Sequence, residues 1–150
     1  MKLDYLKGLY QKGLFEVHEC FTTWEQAVRA SVQPLVRAGM AEPAYADSII
    51  DNVEENGPYI SLAPHICMPH SKAVELVHKP GICFVKVNQP VWYDKNDPDM
   101  GAELFFTIAA CELNAHLDAV MELADIFDDE ETITALLNAK SSQDFEKLLG

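Results

Sequence analysis

Apolar residues recur along this chain in two rhythms, a helical spacing in some stretches and nearly unbroken short runs in others. Leu3, Leu6 and Tyr10 share helical spacing and predict a short N-terminal helix. A clearer helix starts near Trp24, where positions 24, 27, 28, 32, 35 and 36 make one apolar face. Thr22 and Thr23 stand three residues before Glu25 and Gln26, which is capping-box spacing. Gly39 stops this helix, and Pro34 predicts a kink because it removes a backbone hydrogen bond. Pro43 suits the first turn of the next helix, whose buried stripe is Tyr45, Ile49, Ile50 and Val53 and whose end is Asn56-Gly57-Pro58. Asn114 is a good N-cap for a later helix with Leu117, Val120, Met121, Ala124 and Phe127 on its inner face. Asp128-Asp129 breaks it. Ile133, Leu136 and Leu137 mark a further helix, and Phe145, Leu148 and Leu149 a last one capped by Ser141 or Ser142.

The second rhythm predicts strands. Leu14-Phe15-Glu16-Val17-His18 reads as a short one, with His18 half-exposed. Residues 59–63 and Ile66-Cys67-Met68 are two more short extended pieces. Residues 82–87 and 104–111 are near-continuous apolar runs, as in strands covered on both faces. A polar loop, residues 94–101, joins them. Strands in the middle of the chain with helices between them predict a layered α/β domain, with helices on both sides of a sheet. A length of 150 residues suits a single domain, residues 1–150, with one sizeable core.

Charge narrows the partners. With 24 acidic and 11 basic side chains the formal charge is -13, which makes nucleic acid a poor partner and disfavours an anionic membrane surface. It suits transient docking against basic protein patches. The start, MKLDYLKGLYQKG, has no apolar signal region, and no run approaches the ~20 apolar residues needed to span a bilayer. A cytoplasmic location is the expectation. Cys20, Cys67, Cys83 and Cys111 form no CxxC pair, and a structural disulfide is not expected.

The chemistry concentrates in residues 57–70, which carry two X-Pro-His units, Ala63-Pro64-His65 and Met68-Pro69-His70. Proline fixes its own φ and holds the preceding residue extended, so both histidines sit on stiff backbone. A stiff mount suits a nucleophile that must meet an in-line leaving group. Neutral imidazole has one nitrogen with a free lone pair, and its other N–H can fix the tautomer. That is the equipment for phosphoryl relay at His70. The phosphoryl transition state is loose, so a donor should lie near the acceptor. His116 is the candidate, because it falls at a helix start where free N–H groups and the dipole favour an anion. His65 reads as a spacer beside the site and His78 as a surface residue. Lys72 reads as solvated, with attraction of a phosphate as its alternative role. Ile66 and Met68 serve either as an apolar rim for docking or as core. The acidic run at residues 125–131 lacks the alternating oxygen ligands of a calcium loop.

These residues resemble a known family, the enzyme IIA domains of the mannitol and fructose superfamily in the phosphoenolpyruvate-dependent phosphotransferase system. The likeness rests on residues 57–70 with Ile66-Cys67-Met68-Pro69-His70 at their end. It continues in Trp24-Glu25-Gln26-Ala27-Val28, Ala115-His116-Leu117 and Leu136-Leu137-Asn138-Ala139-Lys140-Ser141. Glu42-Pro43, Tyr45, Gly57-Pro58-Tyr59 and Ala63-Pro64 are similar to the ascorbate-type branch. The resemblance implies a mixed β-sheet flanked by helices on both sides, a layered α/β/α sandwich. It implies that His70 takes a phosphoryl group from the general phosphocarrier HPr and passes it to a cysteine of a cognate enzyme IIB. The membrane enzyme IIC is engaged only indirectly. His116 is then the supporting histidine.

Two departures stand out. Mannitol-type members carry an arginine where this chain has Glu54, and a small residue is common where it has His65. Phosphate stabilisation then rests on His116, backbone N–H groups and the site-lining Ser61 or Ser71. No cofactor and no metal is required, since phosphohistidine is already a reactive donor. The runner-up reading is a regulatory relative whose His70 phosphorylation state controls a partner protein. A metal-dependent hydrolase using His65, His70 and His116 is a distant third, because the spacing matches no common ligand motif. The sequence leaves room for a homodimer.

Overall fold

The computed structural model describes residues 1–94, 96–97, 100–110 and 117–150, the side chains of residues 117–119 excepted. Helix α1 (Asp4–Gln11) leads into strand β1 (Phe15–His18), and α2 (Trp24–Arg37) and α3 (Ala44–Asn56) follow. Two short strands, β2 (Ser61–Ala63) and β3 (His65–Cys67), precede the long β4 (Gly81–Trp92) and β5 (Gly101–Ala109). Helices α4 (Leu117–Asp128), α5 (Glu130–Asn138) and α6 (Ser142–Leu149) complete the chain.

The five strands form one mixed sheet in the order β1-β4-β5-β3-β2. β1 runs parallel to β4 and β3 parallel to β5, while β4/β5 and β2/β3 are antiparallel. Side chains of a strand alternate between faces, and both faces here are covered. Along β4, Phe84 packs on Phe106 of β5 and Phe145 of α6, and Lys86 reaches the end of α5. Cys83, the residue before Phe84, points to the other face, where its thiol donates to the Ser31 carbonyl of α2. This two-sided burial is why residues 82–87 are almost all apolar and all buried. Burial also pushes the Cys83 thiol up to about 12. Gly101 of β5 lies opposite Trp92 of β4, where a Cβ would meet the indole ring at 2.7 Å.

Local signals place the helices. Thr23 caps α2 by accepting from the Gln26 amide, and Gln26 Oε1 accepts from the Thr22 amide. Ala27, Val28, Val32 and Leu35 are buried, with Trp24 and Val36 partly so. The helix runs past Pro34 to Arg37, and Gly39 follows at φ +75°. Tyr45, Ile49, Ile50 and Val53 of α3 are all buried. Ser141 caps α6 by accepting from the Asp144 amide. The strand expected at residues 59–63 starts only at Ser61, because Tyr59 and Ile60 form a turn after Gly57. A short 3-10 turn at Val74–Leu76 has no forerunner in the apolar rhythm.

Helix α4 differs from its expected orientation. Leu123 and Ile126 are buried, with Phe127 against Phe106, while Ala124 is exposed and Val120 and Met121 are 39% and 66% exposed. The helix is apolar on most of its circumference, so two stripes were available, and packing against the sheet and α5 chose the other one. Asn114, its expected cap, and Cys111 lie outside the described residues. Cys20, Cys67 and Cys83 are free thiols. No helix among the described residues is long and apolar enough to cross a membrane.

One buried cation ties the sheet to the C-terminal helices. The Lys86 ammonium donates to the carbonyls of Leu137 and Ala139 and to Asn88 Oδ1. These are orphan acceptors at the end of α5, where a cation also complements the helix dipole. Burial, with a smaller push from Lys140, lowers its pKa from 10.5 to about 8, against the pull of Glu103, Asp144 and Glu19. Lys86→Met leaves the carbonyls unpaired and is expected to cost about 2–4 kcal/mol in urea unfolding. The depressed folded-state value means that the unfolded chain binds more protons here between pH about 8 and 10.5. The Lys86 contribution to stability therefore rises with pH across that window, and the difference between wild type and Lys86→Met should widen there.

Candidate functional site

His70 lies just beyond the carboxyl end of β3, beside the end of its parallel neighbour β5. Several backbone groups around it are tied down. The Met68 amide donates to the Ile60 carbonyl at 2.8 Å, and the Ile108 amide of β5 donates to the Pro69 carbonyl at 3.0 Å. The Tyr59 hydroxyl donates to the His70 carbonyl. The Ser71 amide donates to the Tyr45 hydroxyl at 3.1 Å, and that hydroxyl donates to the Ile108 carbonyl at 2.7 Å. Burial raises the Tyr45 phenol above its ordinary value, which keeps it a neutral donor.

The imidazole has one fixed nitrogen. His70 Nδ1 lies 2.7 Å from the Met68 carbonyl oxygen. A carbonyl only accepts, so Nδ1 carries the proton and Nε2 keeps its lone pair. The ring of Tyr59 stands edge-on to the imidazole, with centroids 5.1 Å apart and planes at 88°. His70 lines an open cleft with Asn52, Asn56, Tyr59, Ser71 and Lys72. The arrangement provides a half-buried, oriented nitrogen nucleophile at an accessible surface.

The other predicted site residues divide. Ser71 lines the same cleft, but its hydroxyl is committed. Ser48 gives its single proton to the Tyr45 carbonyl, so in the 2.7 Å Ser48–Ser71 contact Ser71 is the donor, and Ser71 also accepts from the Ala73 amide. Ser71 thus holds the loop and has no proton left for a phosphate. Ser61 is not among the residues that line the His70 cleft; it borders a separate, largely apolar pocket with Trp24, Val28 and Phe105. His65 is also absent from the cleft lining. It sits at φ +74° in the irregular β3–β5 register, with Nδ1 2.8 Å from Glu103 Oε1. His116 lies outside the described residues. Ile66 is core and Met68 packs against it, so neither forms a docking rim; Tyr59 and Leu62 before His70 in sequence, and Val74 after it, are exposed apolar residues. Glu54 is exposed on α3 and is not among the cleft-lining residues. Asn52 and Asn56, which do line it, carry no charge signal that sequence reasoning could have used. No cluster of three metal-ligating side chains occurs among the described residues.

Tyr45→Phe should leave the Ser71 amide and the Ile108 carbonyl without their partner. The expected loss is about 1–3 kcal/mol in urea unfolding, with faster hydrogen exchange at the Ser71 amide.

Comparison with known proteins identifies the family and the fold. Residues 9–150 match the family described as "Phosphoenolpyruvate-dependent sugar phosphotransferase system, EIIA 2". The chain is 35% identical over 128 residues to an ascorbate-specific phosphotransferase system EIIA component of Shigella boydii, covering 85% of this chain and 82% of that protein. The crystal structure of the mannitol enzyme IIA from Escherichia coli superposes with a TM-score of 0.74 at 27% identity, covering 93% of this chain and 97% of that one. A complex of that enzyme IIA with phosphorylated enzyme IIB for mannitol, from the same organism, gives a TM-score of 0.74 at 26% identity over 92% of this chain and 94% of that one. On the family match across residues 9–150 and the likeness to these proteins, the chain belongs to the enzyme IIA family of the phosphoenolpyruvate-dependent sugar phosphotransferase system.

Proposed function

We propose that this chain is a cytoplasmic phosphocarrier in which Nε2 of His70 accepts a phosphoryl group from HPr and delivers it to a cysteine of an enzyme IIB. The observation that carries this reading is the Nδ1–H bond to the Met68 carbonyl, which leaves the Nε2 lone pair on a residue lining an open cleft. In the forward step the lone pair forms a new N–P bond as the donor's P–N bond breaks. The electron pair of that bond returns to the donor imidazole, which leaves neutral with its other nitrogen protonated. Nδ1 keeps its proton throughout, and the Met68 carbonyl supports the positive charge that the His70 ring takes on. The second step repeats the exchange, with a thiolate of the partner as nucleophile and His70 Nε2 as leaving group.

Because the transition state is loose, position and charge stabilisation govern the rate. The pinned backbone supplies the position. His116 is the proposed supporting donor: β5 brings the chain to the His70 loop at Ile108, and His116 follows eight residues later. The likeness to ascorbate-specific components makes an L-ascorbate-type sugar acid the proposed cargo of the system. Exposed Tyr59, whose ring stands against the imidazole, gives two successive carriers a small apolar contact beside the nucleophile, as weak and transient docking requires.

Incubation with phosphoenolpyruvate and the upstream carriers should add one phosphoryl group to the wild-type chain and none to His70→Ala. His116→Ala should fold normally and accept the group about 100-fold more slowly. Addition of a cognate enzyme IIB should strip the label. Retention of label in the presence of every enzyme IIB encoded by the same organism would favour a regulatory role instead.

A further inference from the structure

We propose that Asn52, oriented by Asn56, is the neutral donor that binds a terminal oxygen of the phosphoryl group on His70. The inference rests on the phosphocarrier reading above and adds a residue to it. It comes from counting the protons available in the cleft. Among the described residues, the cleft around His70 is lined by Asn52, Asn56, Tyr59, Ser71 and Lys72. The Ser71 proton goes to Ser48, as shown above. Tyr59 has one hydroxyl proton, and it goes to the His70 carbonyl. The Asn52 side chain, in the same cleft, opposes the upward push that burial gives the Tyr59 phenol.

Asn56 completes the arrangement. It lies one helical turn on, and its Nδ2 donates to Asn52 Oδ1 at 2.5 Å. The Asn52 oxygen is therefore occupied and its amide is held in one orientation. With Oδ1 held by Asn56, Nδ2 of Asn52 is turned away from that bond, and its two N–H groups are oriented side-chain donors in the cleft. Asn56 keeps a second N–H as well, on an exposed side chain. Lys72 offers charge on a long exposed stem, without such a mount. The cation expected from the resemblance is thus replaced by an oriented carboxamide, which binds oxygen through a hydrogen bond with little long-range attraction. Because Asn52 would touch the transferring group, it counts as a catalytic residue.

The test compares wild type, Asn52→Asp, Asn52→Ser and Asn56→Ala for phosphorylation by HPr, with folding checked by circular dichroism. Asn52→Asp keeps the shape but presents a carboxylate oxygen, and its maximal labelling rate should fall about 100-fold, the loss typical of one oxyanion donor. The HPr concentration giving half that rate should change little, which a disturbed docking surface would not reproduce. Asn56→Ala should cause a smaller loss. In wild type, the Asn52 side-chain amide resonances should shift on phosphorylation, a readout that needs no variant to fold. Equal maximal rates for wild type and both Asn52 variants, or Asn52 amide resonances that do not move, overturn the inference alone. A wild-type chain that accepts no label overturns the phosphocarrier reading as well.

Discussion

The Met68 carbonyl lies 2.7 Å from Nδ1 of His70, and an oxygen of that kind has no proton to give. The proton must belong to the ring, the tautomer is set, and the other nitrogen is left as a base and nucleophile. The constraint holds only if Met68 itself cannot turn. Its amide is bound to Ile60, and the next carbonyl, that of Pro69, is bound to Ile108 in the centre of the molecule. The orientation of one exchangeable proton is therefore referred back to the register of β3 and β5. Both are parallel strands whose carboxyl ends open on the same edge, the usual place for a site in an α/β sheet.

The mount and the chemistry use different groups. Tyr45, Ser48, Ser71 and the Tyr59 hydroxyl spend their protons on backbone carbonyls or on each other. They fix the loop and contribute rigidity. Groups with donors to spare, such as the Asn52 amide and the Lys72 ammonium, sit at the cleft rim on α3 and beyond the nucleophile. The division suits a loose transition state, which rewards accurate placement more than strong binding. A network in which every buried member is satisfied also resists the rearrangement that each visiting partner could impose.

Much of this was legible in the amino-acid order. The stripes of α2 and α3, the capping threonine and serine, and the two-sided strands all follow from apolar spacing, because one packed layer defines each face. The two prolines pointed to His70 because they act on their own and the preceding residue, which is local chemistry. Other features are tertiary. The apolar surface of α4 permitted two inner faces, and only tertiary packing, which buries Leu123 and Ile126 and leaves Val120 and Met121 outside, selects one. The Ser71 hydroxyl looked available for phosphate until Ser48, from a distant helix, was seen to take its proton. Ser61 and His65 are near His70 in sequence, yet β2 and β3 carry them away from its cleft lining. Asn52 gave no signal, since a polar residue on an exposed helical face is what any surface provides.

Nitrogen-15 NMR of the histidine-labelled chain addresses the central claim directly, before and after phosphorylation. The account predicts that neutral His70 shows the tautomer with its proton on Nδ1, and that phosphorus-31 coupling appears at Nε2 once the group is transferred. A proton found on Nε2, or coupling to Nδ1, would contradict it.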